Sequence, residues 1–335
     1  MERLIHSMKA AGEPTRLRIL LVLERSELTV SEICRILGQS QPRISRHLKL
    51  LCEAGLLSRH AEGTNAFYRH APEPYAKQFL SAVRPLIDLD AAVVQADQNE
   101  LARIRADRSE LAARSLVKIT RESELLDGRK VPSSEVEQTM LEAVGAEPID
   151  TLLDVGTGTG RVLELFAPRI EAGLGIELSR EMLNLARTRL DEAGLDHCTV
   201  RSGNAYSLDI SAGSVELAVL HHVLHYLDEP ARAVDQAART VANTGQLLIV
   251  DFVAHKFEEL RSHHAHRRLG FTDGEVTEWC AAAGMSVVDA RHLAPPNDLG
   301  APENELLTVS IWVARRTQPH TSNVINFSHR LPPQR

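Results

Sequence analysis

The stretch T-L-L-D-V-G-T-G-T-G-R-V-L-E-L-F, residues 151–166, decides the fold of this 335-residue chain. It begins as an apolar run that carries Asp154, continues through three alternating glycines, and ends in apolar residues at helical spacing. The pattern predicts a strand, a tight turn and a helix, because glycine tolerates positive φ and lets a ligand approach the backbone. Glu177 ends the next apolar run, about 20 residues past the first glycine, where a carboxylate can accept hydrogen bonds from ribose. The stretch therefore predicts a nucleoside site.

Alternating strand and helix patterns continue from this stretch towards the C-terminus. The predicted strands lie near residues 151–155, 173–177, 198–202, 215–221, 246–252, 285–290 and 306–314. Regular alternation of this kind predicts an α/β fold with a parallel, doubly wound sheet. In such sheets the ligand lies at the carboxyl ends of the strands, which is where the glycine-rich turn is found.

The first 72 residues show a different pattern. Helical periodicity is present in 4–12, 13–25, 28–38 and 40–55, and two short strand patterns around an E-G-T-N turn follow in 56–71. The third helical segment has Thr29 or Ser31 as its N-cap and Gly38 at its end. Helix, short turn, helix and hairpin predict a winged helix-turn-helix, whose second helix enters the major groove of DNA.

The second helix of this motif has a basic outer face. Ile44, Leu48 and Leu51 recur at four- and three-residue spacing and are expected to face inward. The residues expected to contact double-stranded operator DNA are Gln41, Arg43, Ser45, Arg46 and Lys49 in the helix and Arg59 and Arg69 in the hairpin. Glu53 and Glu62 are the only acids between residues 40 and 70, although the net charge of the chain is −7. The alternative is the solvated helix face of an acidic enzyme.

A helical connector separates the two patterns. Charged residues alternate there with Ala, Leu, Ile and Val at helical spacing, and Pro85 is expected to break the helix. Long helices of this composition commonly form a dimer face or a rigid spacer, so we expect a homodimer. The predicted divisions are 1–72 for the winged helix, 73–130 for the connector, 131–316 for the sheet domain and 317–335 for a disordered polar tail.

Composition limits the class of protein. Hydrophobic residues make up 43% of the chain, yet no apolar run approaches the roughly 20 residues of a membrane span. The N-terminal residues lack a signal-peptide pattern, and the four cysteines are scattered without a C-x-x-C pair. We therefore expect a cytoplasmic protein with reduced thiols and no membrane partner.

The spacing of the glycines distinguishes between nucleoside sites. G-x-G-x-G, with Asp154 two residues before it, departs from the dinucleotide pattern G-x-G-x-x-G and resembles motif I of class I S-adenosylmethionine-dependent methyltransferases. The resemblance continues through 203–208, 215–227 and 245–252. It implies a Rossmann-like seven-stranded methyltransferase sheet that binds S-adenosylmethionine or S-adenosylhomocysteine. The implied contacts are Asp154, Gly156, Thr157, Gly158, Gly160, Glu177, Leu178, Asn204, Ala205 and His221. A phosphate-binding or empty Rossmann-like loop is the alternative.

Three segments of the winged helix resemble the ArsR/SmtB family of bacterial repressors. They are E-P-T-R-L-R-I-L at 13–20, L-T-V-S-E-I-C at 28–34 and S-R-H-L-K-L-L-C-E-A-G-L-L at 45–57. The family implies a homodimer that leaves its operator when an effector binds. Many members sense metals through paired cysteines in the helix before the recognition helix. Only Cys34 is present there, so this thiolate site is missing.

The order of the domains resembles a bacterial family in which an ArsR-type domain precedes a UbiE-like methyltransferase. H-H-A-H-R-R-L-G-F at 263–271 is typical of that family. Members often show Y-F-x-x-N-A-x-x-W-D ahead of V-P, where this chain has no aromatic residue in 115–124, and Asn204 replaces the usual adenine-binding aspartate. The missing aromatic residues affect the acceptor side, whereas Asn204 can still accept the adenine amine through its amide oxygen. A retained nucleoside pocket beside an altered acceptor side favours a nucleoside-responsive regulator, in a methionine or methyl-cycle setting. The alternative is an active small-molecule methyltransferase with an autoregulatory DNA-binding domain.

Methyl transfer requires mainly alignment, with a general base where the acceptor must lose a proton. The candidates for that base are His221 and His222 after the fourth strand and Asp251 after the fifth. The H-H-x-x-H pattern that ends at His225 also occurs in metal sites. A strand end is expected to scatter these side chains, so no metal is expected.

Overall fold

The structure, a computed structural model, describes residues 1–24, 26–62, 65–124, 130–263, 266–296 and 306–316, with the backbone alone for 113–124 and 262–263. The predicted tail at 317–335 and His264 lie outside these residues. The side chains that stand in place of the aromatic motif, in 115–124, also lie outside them.

The N-terminal part is a winged helix-turn-helix, which confirms the sequence prediction. Its helices are α1 (Glu2–Ala11), α2 (Pro14–Val22), α3 (Val30–Leu37) and α4 (Gln41–Glu53), and its strands are β1 (Leu28–Thr29), β2 (Leu57–Glu62) and β3 (Asn65–His70). The strands form an antiparallel sheet with β3 in the centre. We call α4 the recognition helix and the β2–β3 hairpin the wing.

Local interactions define both ends of the helix that precedes the recognition helix. The Thr29 hydroxyl accepts a hydrogen bond from the Glu32 amide at 3.3 Å, and the Glu32 carboxylate accepts one from the Thr29 amide at 2.8 Å. Of the two N-caps considered, Thr29 is therefore the one used, in a capping box. Gly38 ends the helix at φ +65°. The recognition helix that follows buries Ile44, Leu48 and Leu51, as its periodicity predicts.

The connector consists of α5 (Pro74–Val83), a 3₁₀ turn at Arg84–Leu86, and α6 (Ala92–Glu124). The break lies at Pro85, as predicted. Leu101 and Ile104 of α6 join the core of the winged helix, and Asp97 accepts two hydrogen bonds of 2.6 Å from Arg18. The connector is therefore packed onto the DNA-binding part, while the homodimer stays a prediction. No helix in the described parts of the chain, α6 included, is long and apolar enough to cross a membrane.

The C-terminal part is a seven-stranded sheet with helices on both faces. The strands are β4 (Ile149–Val155), β5 (Ile170–Glu177), β6 (Cys198–Ser202), β7 (Val215–His221), β8 (Val241–Phe252), β9 (Met285–Leu293) and β10 (Val309–Arg316). The helices are α7 (Ser133–Val144), α8 (Arg161–Phe166), α9 (Arg180–Glu192), α10 (Pro230–Thr240), α11 (Glu259–His263) and α12 (Asp273–Ala282). Successive residues of a strand point to opposite faces of the sheet, and each face has its own hydrophobic core. In β4, Leu152 belongs to one core and Leu153 to the other.

The strand order is β6-β5-β4-β7-β8-β10-β9. Strands β4 to β8 pair in parallel, but β10 is antiparallel to both β8 and β9. The doubly wound, seven-stranded sheet predicted from the sequence is therefore confirmed, and β10 departs from its parallel direction. Parallel neighbours need a crossover connection, whereas β10 is the next described element after β9 and lies antiparallel beside it.

Candidate nucleoside-binding site and DNA-binding face

A cavity of about 620 Å³ opens at the carboxyl ends of β4, β5 and β7. Nine of the ten residues expected to bind nucleoside line it: Asp154, Gly156, Thr157, Gly158, Glu177, Leu178, Asn204, Ala205 and His221. The tenth, Gly160, does not line it. The topology thus brings the ends of three strands and their following turns around one space, as the rule for open α/β sheets predicts.

The glycine-rich turn requires glycine for two different reasons. Gly156 has φ +77°, and a Cβ there would lie 2.3 Å from Val223 Cγ2 across the cavity wall. Gly160 has φ +79°, and its Cβ would meet the Cβ of Ala186 in α9 at 3.2 Å. The first glycine therefore keeps the cavity open, and the third lets α8 begin close to α9.

The carboxylate of Glu177 links the glycine-rich turn to the start of α9. One oxygen accepts a hydrogen bond from the Gly158 amide at 3.0 Å. The other accepts from the amides of Leu178 and Ser179, both at 2.8 Å. Ser179 is also the N-cap residue of α9. The predicted ribose acceptor therefore lies at the point where the cavity wall and α9 meet.

Asp154 is a fully buried carboxyl group at the cavity. Neither of its oxygens has a hydrogen-bond partner among the described residues, and the nearby Thr157 hydroxyl makes none of acceptable geometry. The pKa of Asp154 is raised to about 7, chiefly by burial and also by the proximity of Glu177, while Thr157 opposes the increase. An unpartnered buried carboxyl group is costly, so it is expected to have a ligand or catalytic role.

Asn204 stabilises its own turn after β6. Its side-chain oxygen accepts a hydrogen bond from the Tyr206 amide at 2.9 Å, and its carbonyl accepts one from the Ser207 amide at 3.0 Å. A side-chain amide oxygen has two lone pairs, so one remains available to an adenine amine.

The three candidate bases differ in position. His221 and His222 line the cavity, whereas Asp251 does not. Burial lowers the pKa of His221 to about 4 and the pKa of His222 well below its ordinary value, so both rings are neutral at pH 7. Asp251 is fully buried, and its Oδ1 atom lies 2.7 Å from His225 Nδ1 and accepts from the Phe252 amide at 2.8 Å. Only the two histidines are therefore placed to meet a molecule in the cavity.

The histidines after β7 are gathered rather than scattered, contrary to the sequence expectation. One possible ligand atom from each of His222, His225 and Asp251 lies within 4.8 Å of the other two. The reason is a turn: His222 has φ +50°, and a 3₁₀ turn at Leu224–Tyr226 follows, which directs His225 towards the end of β8. We call these three residues the histidine–aspartate cluster.

The recognition helix presents the predicted DNA contacts to solvent. Gln41, Arg43, Ser45, Arg46 and Lys49 are all exposed, as is Arg59 in the wing. Arg69 differs, because it is half-buried and near Arg201 of β6, and burial together with that arginine lowers its pKa. It faces the sheet domain, unlike the other six predicted contacts.

The end of the wing is held against α9 by a buried arginine. Arg187, 5% exposed, donates hydrogen bonds to both oxygens of Glu62, the last residue of β2, which is also 5% exposed. It forms a second ion pair with Glu27 at 3.4 Å, and its guanidinium lies over the ring of Phe67 at 4.0 Å. The connector joins the same assembly through Arg108, which pairs with Glu32 of α3 at 2.7 Å and Asp191 of α9 at 3.7 Å.

Sequence reasoning did not single out Arg187. The available signal was its position, four residues after Leu183 and three before Leu190 on the face that α9 buries. A charged residue on an apolar helix face needs a partner of opposite charge. The partners lie 125 and 160 residues away in sequence, so no local pattern could name them.

The fold and the site together define a DNA-binding regulator joined to a methyltransferase-type domain. Residues 13–59 match the family model described as bacterial regulatory protein, arsR family, and residues 153–249 match the model described as methyltransferase domain. The arsenic resistance transcriptional regulator ArsR1 of Pseudomonas putida is 36% identical over 98 residues, which is 29% of this chain and 75% of that protein. The chain belongs to the arsR family and carries a methyltransferase domain after its winged helix.

Two further comparisons cover one domain each. The arsenical resistance operon repressor of Escherichia coli is 48% identical over 69 residues, which is 20% of this chain and 59% of that protein. The crystal structure of the YcgJ protein from Bacillus subtilis aligns with 55% of this chain and 100% of that one, at 18% identity and a TM-score of 0.46. The chain spans 41%, 32% and 59% of the lengths of three of its curated relatives.

Proposed function

We propose that this protein is a DNA-binding regulator whose methyltransferase-type domain binds S-adenosylmethionine or S-adenosylhomocysteine as an effector. The setting that fits such an effector is control of methionine or methyl-cycle genes. The observation that carries the proposal is the position of α9, whose start lines the cavity and whose middle holds the wing.

The chemistry of the cavity supports an S-adenosyl nucleoside. Its volume lies within the range of small-molecule sites. Glu177 offers carboxylate oxygens to ribose hydroxyls at the end of β5. Asp154 is a buried carboxyl group without a hydrogen-bond partner in the described chain, and the ammonium group of the methionine moiety would supply the missing positive charge.

Helix α9 supports a physical connection between effector and DNA. Met182, in its first turn, lines the cavity, and Arg187 lies five residues further on, about 7.5 Å along the axis. A ribose that competes for the oxygens of Glu177 would alter the hydrogen bonds to Leu178 and Ser179, which fix the start of the helix. A small movement of α9 would then act directly on the ion pairs between Arg187 and the wing.

The regulator would therefore have two arrangements, one with the wing held by α9 and one with the wing released. The nucleoside changes operator affinity only by its different affinity for these two arrangements. The partners implied are double-stranded operator DNA and, from the family, a second copy of the chain. The connector would provide a second path of coupling between the cavity and the winged helix, because α6 contacts both the winged helix and α9.

A second candidate function is methyl transfer to a small molecule, with the winged helix serving autoregulation. The neutral rings of His221 and His222 at the cavity favour it, because a neutral imidazole can accept a proton from an acceptor group. Incubation with S-adenosylmethionine labelled in the methyl group separates the two functions. Turnover of labelled methyl groups into a candidate acceptor supports the enzyme, and binding without turnover supports the regulator.

Calorimetry tests the nucleoside site. Glu177→Ala should weaken binding of both nucleosides about 10- to 100-fold, because a hydrogen bond to a charged acceptor contributes about 1.5–3 kcal/mol. Glu181→Ala, which removes an exposed acid from the first turn of α9, is the matched control and should bind as the wild type does. Wild-type affinity in a folded Glu177→Ala protein would place the nucleoside elsewhere.

A further inference from the structure

We propose that His222, His225 and Asp251 bind a divalent transition-metal ion at the wall of the cavity. The proposal goes beyond the effector site, because it assigns a second ligand to this end of the sheet. It rests on the geometry of the histidine–aspartate cluster, in which one ligand atom from each residue lies within 4.8 Å of the others.

The cluster is enclosed by the protein. Asp251 is fully buried and His225 is 2% exposed. Asp251 Oδ2 accepts only a long hydrogen bond, 3.3 Å, from the His225 amide among the described residues, so it retains lone pairs for a cation. The ring of His266, which is itself 5% exposed, packs against His225 with the centroids 4.2 Å apart.

His222 has an unused nitrogen in this enclosure. Its Nδ1 atom is buried and has no hydrogen-bond partner among the described residues. Buried polar nitrogens are nearly always paired, so this nitrogen is free to bind a ligand that enters the cavity. Because His222 also lines the cavity, it joins the cluster to the space where the nucleoside is proposed to bind.

The backbone of His222 is strained in a way that favours this arrangement. It is the one residue other than glycine in the described chain with a positive φ, +50°. Such a conformation costs about 1–3 kcal/mol and is typical of functional sites. The strain is maintained by a hydrogen bond of 2.8 Å from the His222 amide to the Val250 carbonyl, which anchors the turn on β8 next to Asp251.

Two imidazoles and one carboxylate select the type of metal. Zn²⁺, Co²⁺, Ni²⁺ and Fe²⁺ accept such ligands, whereas Mg²⁺ and Ca²⁺ prefer oxygen alone. Metal–nitrogen bonds of about 2.0–2.1 Å place tetrahedral ligands about 3.4 Å apart. His225 Nδ1 and Asp251 Oδ1, now 2.7 Å apart, would therefore give up their hydrogen bond if both bound the metal, while wider separations in the cluster, of up to 4.8 Å, would close. The fourth position would then face the cavity, next to His222. Any proton carried on the coordinating His225 nitrogen leaves to solvent when the metal takes its place.

The composition of the cluster gives it a spectroscopic signature. Its three ligands contain no sulfur, whereas Cys34 and Cys52 lie in α3 and α4 of the winged helix. Co²⁺ bound by the cluster should therefore show visible ligand-field absorption without the near-ultraviolet charge-transfer band of a thiolate. A thiolate band would assign the metal to the cysteines and overturn the proposal.

Titration of the chelator-treated full-length protein with Co²⁺ tests the site. The wild type should bind one equivalent per chain, and His222→Gln should bind at least about 100-fold more weakly, as expected when a ligand is lost. His197→Gln, which changes a half-buried histidine bound to the Ala167 carbonyl, is the matched control and should bind normally. Absence of stoichiometric binding by the wild type, or full binding by His222→Gln, would overturn the proposal.

Folding of the variants is checked separately. Asp251→Asn removes a buried charge and can destabilise the sheet, so circular dichroism and the melting temperature are recorded without metal. Zn²⁺ should raise the melting temperature of the wild type and of His197→Gln, because a ligand that binds only the folded state stabilises it. It should leave a folded His222→Gln protein unchanged, and an equal increase in that variant would contradict the assignment. Neither measurement depends on nucleoside, so the metal site and the effector proposal can fail independently.

Discussion

At the scale of single residues, two buried ionisable side chains of the sheet domain differ in whether they have partners. Arg187 is surrounded by Glu62, Glu27 and the ring of Phe67. Asp154 has no hydrogen-bond partner in the described chain. A buried charge with partners has a structural explanation, whereas one without partners awaits a ligand. Arg187 therefore lies at the interface between the domains, and Asp154 is the residue that the proposed nucleoside site would use.

Asp154→Asn should change the pH dependence of stability. The pKa of Asp154 in the folded protein, about 7, lies above its ordinary value of 3.8. Folding therefore gains from the protonated form at low pH, and this contribution is lost as the pH rises from about 4 to 7. Asparagine cannot ionise, so Asp154→Asn escapes this loss. The free energy of unfolding of the variant minus that of the wild type should therefore increase by up to about 1.4 kcal/mol per pH unit between pH 4 and 7 and be constant above pH 7. Urea denaturation between pH 5.5 and 8.5 measures it.

The same substitution should weaken nucleoside binding, and wild-type affinity should rise through pH 7 as Asp154 ionises. Asp150→Asn, an exposed acid at the other end of β4, is the control. Parallel stability curves for wild type and Asp154→Asn across pH 7 would mean that the carboxyl group is not buried as described.

At the scale of elements, two helices have separate tasks. The recognition helix buries one apolar face and leaves its basic face in solvent, so it can enter a DNA groove without rearrangement. Helix α9 instead lines the cavity with its first turn and holds the wing through Arg187 in its middle. The recognition helix is therefore a contact surface for DNA, whereas α9 connects the cavity to the wing.

Arg43→Ala combined with Arg46→Ala should weaken operator binding and flatten its dependence on salt. Each phosphate contact that is lost lowers the slope of log affinity against log salt concentration by about 1. Both side chains are exposed, so the fold should be unaffected. Lys9→Ala with Lys77→Ala removes the same charge from other exposed positions of the N-terminal half and serves as the control. Fluorescence anisotropy at several salt concentrations gives the slopes, and equal slopes in both double variants would place the DNA interface elsewhere.

The sequence predicted the elements that follow from local chemistry. The glycine-rich turn, Glu177 at a strand end and the exposed face of the recognition helix all rest on short-range spacing. It did not predict the direction of β10 or the gathering of His222, His225 and Asp251. Those features depend on which strands become neighbours and on one strained turn at His222, and neither is encoded by periodicity.

At the scale of the molecule, the winged helix and the sheet domain are joined by more than the chain. Helix α6 contributes Leu101 and Ile104 to the core of the winged helix and also packs along α9. Arg187 adds a buried ion pair between the wing and the sheet domain. Contacts of this kind allow a ligand at the strand ends to bias the position of the wing, which is the requirement for coupling between two sites.

The effect of nucleoside on operator affinity tests this account most directly. The operator is a duplex selected from a random pool by the wild-type protein, with and without nucleoside. Saturating S-adenosylmethionine or S-adenosylhomocysteine should change wild-type affinity about 5- to 150-fold, which corresponds to a coupling free energy of about 1–3 kcal/mol. Arg187→Met should bind nucleoside normally and lose this response, while Arg232→Gln, a surface arginine of α10, should keep it. Unchanged operator affinity of the wild-type protein at saturating concentrations of both nucleosides would contradict the account.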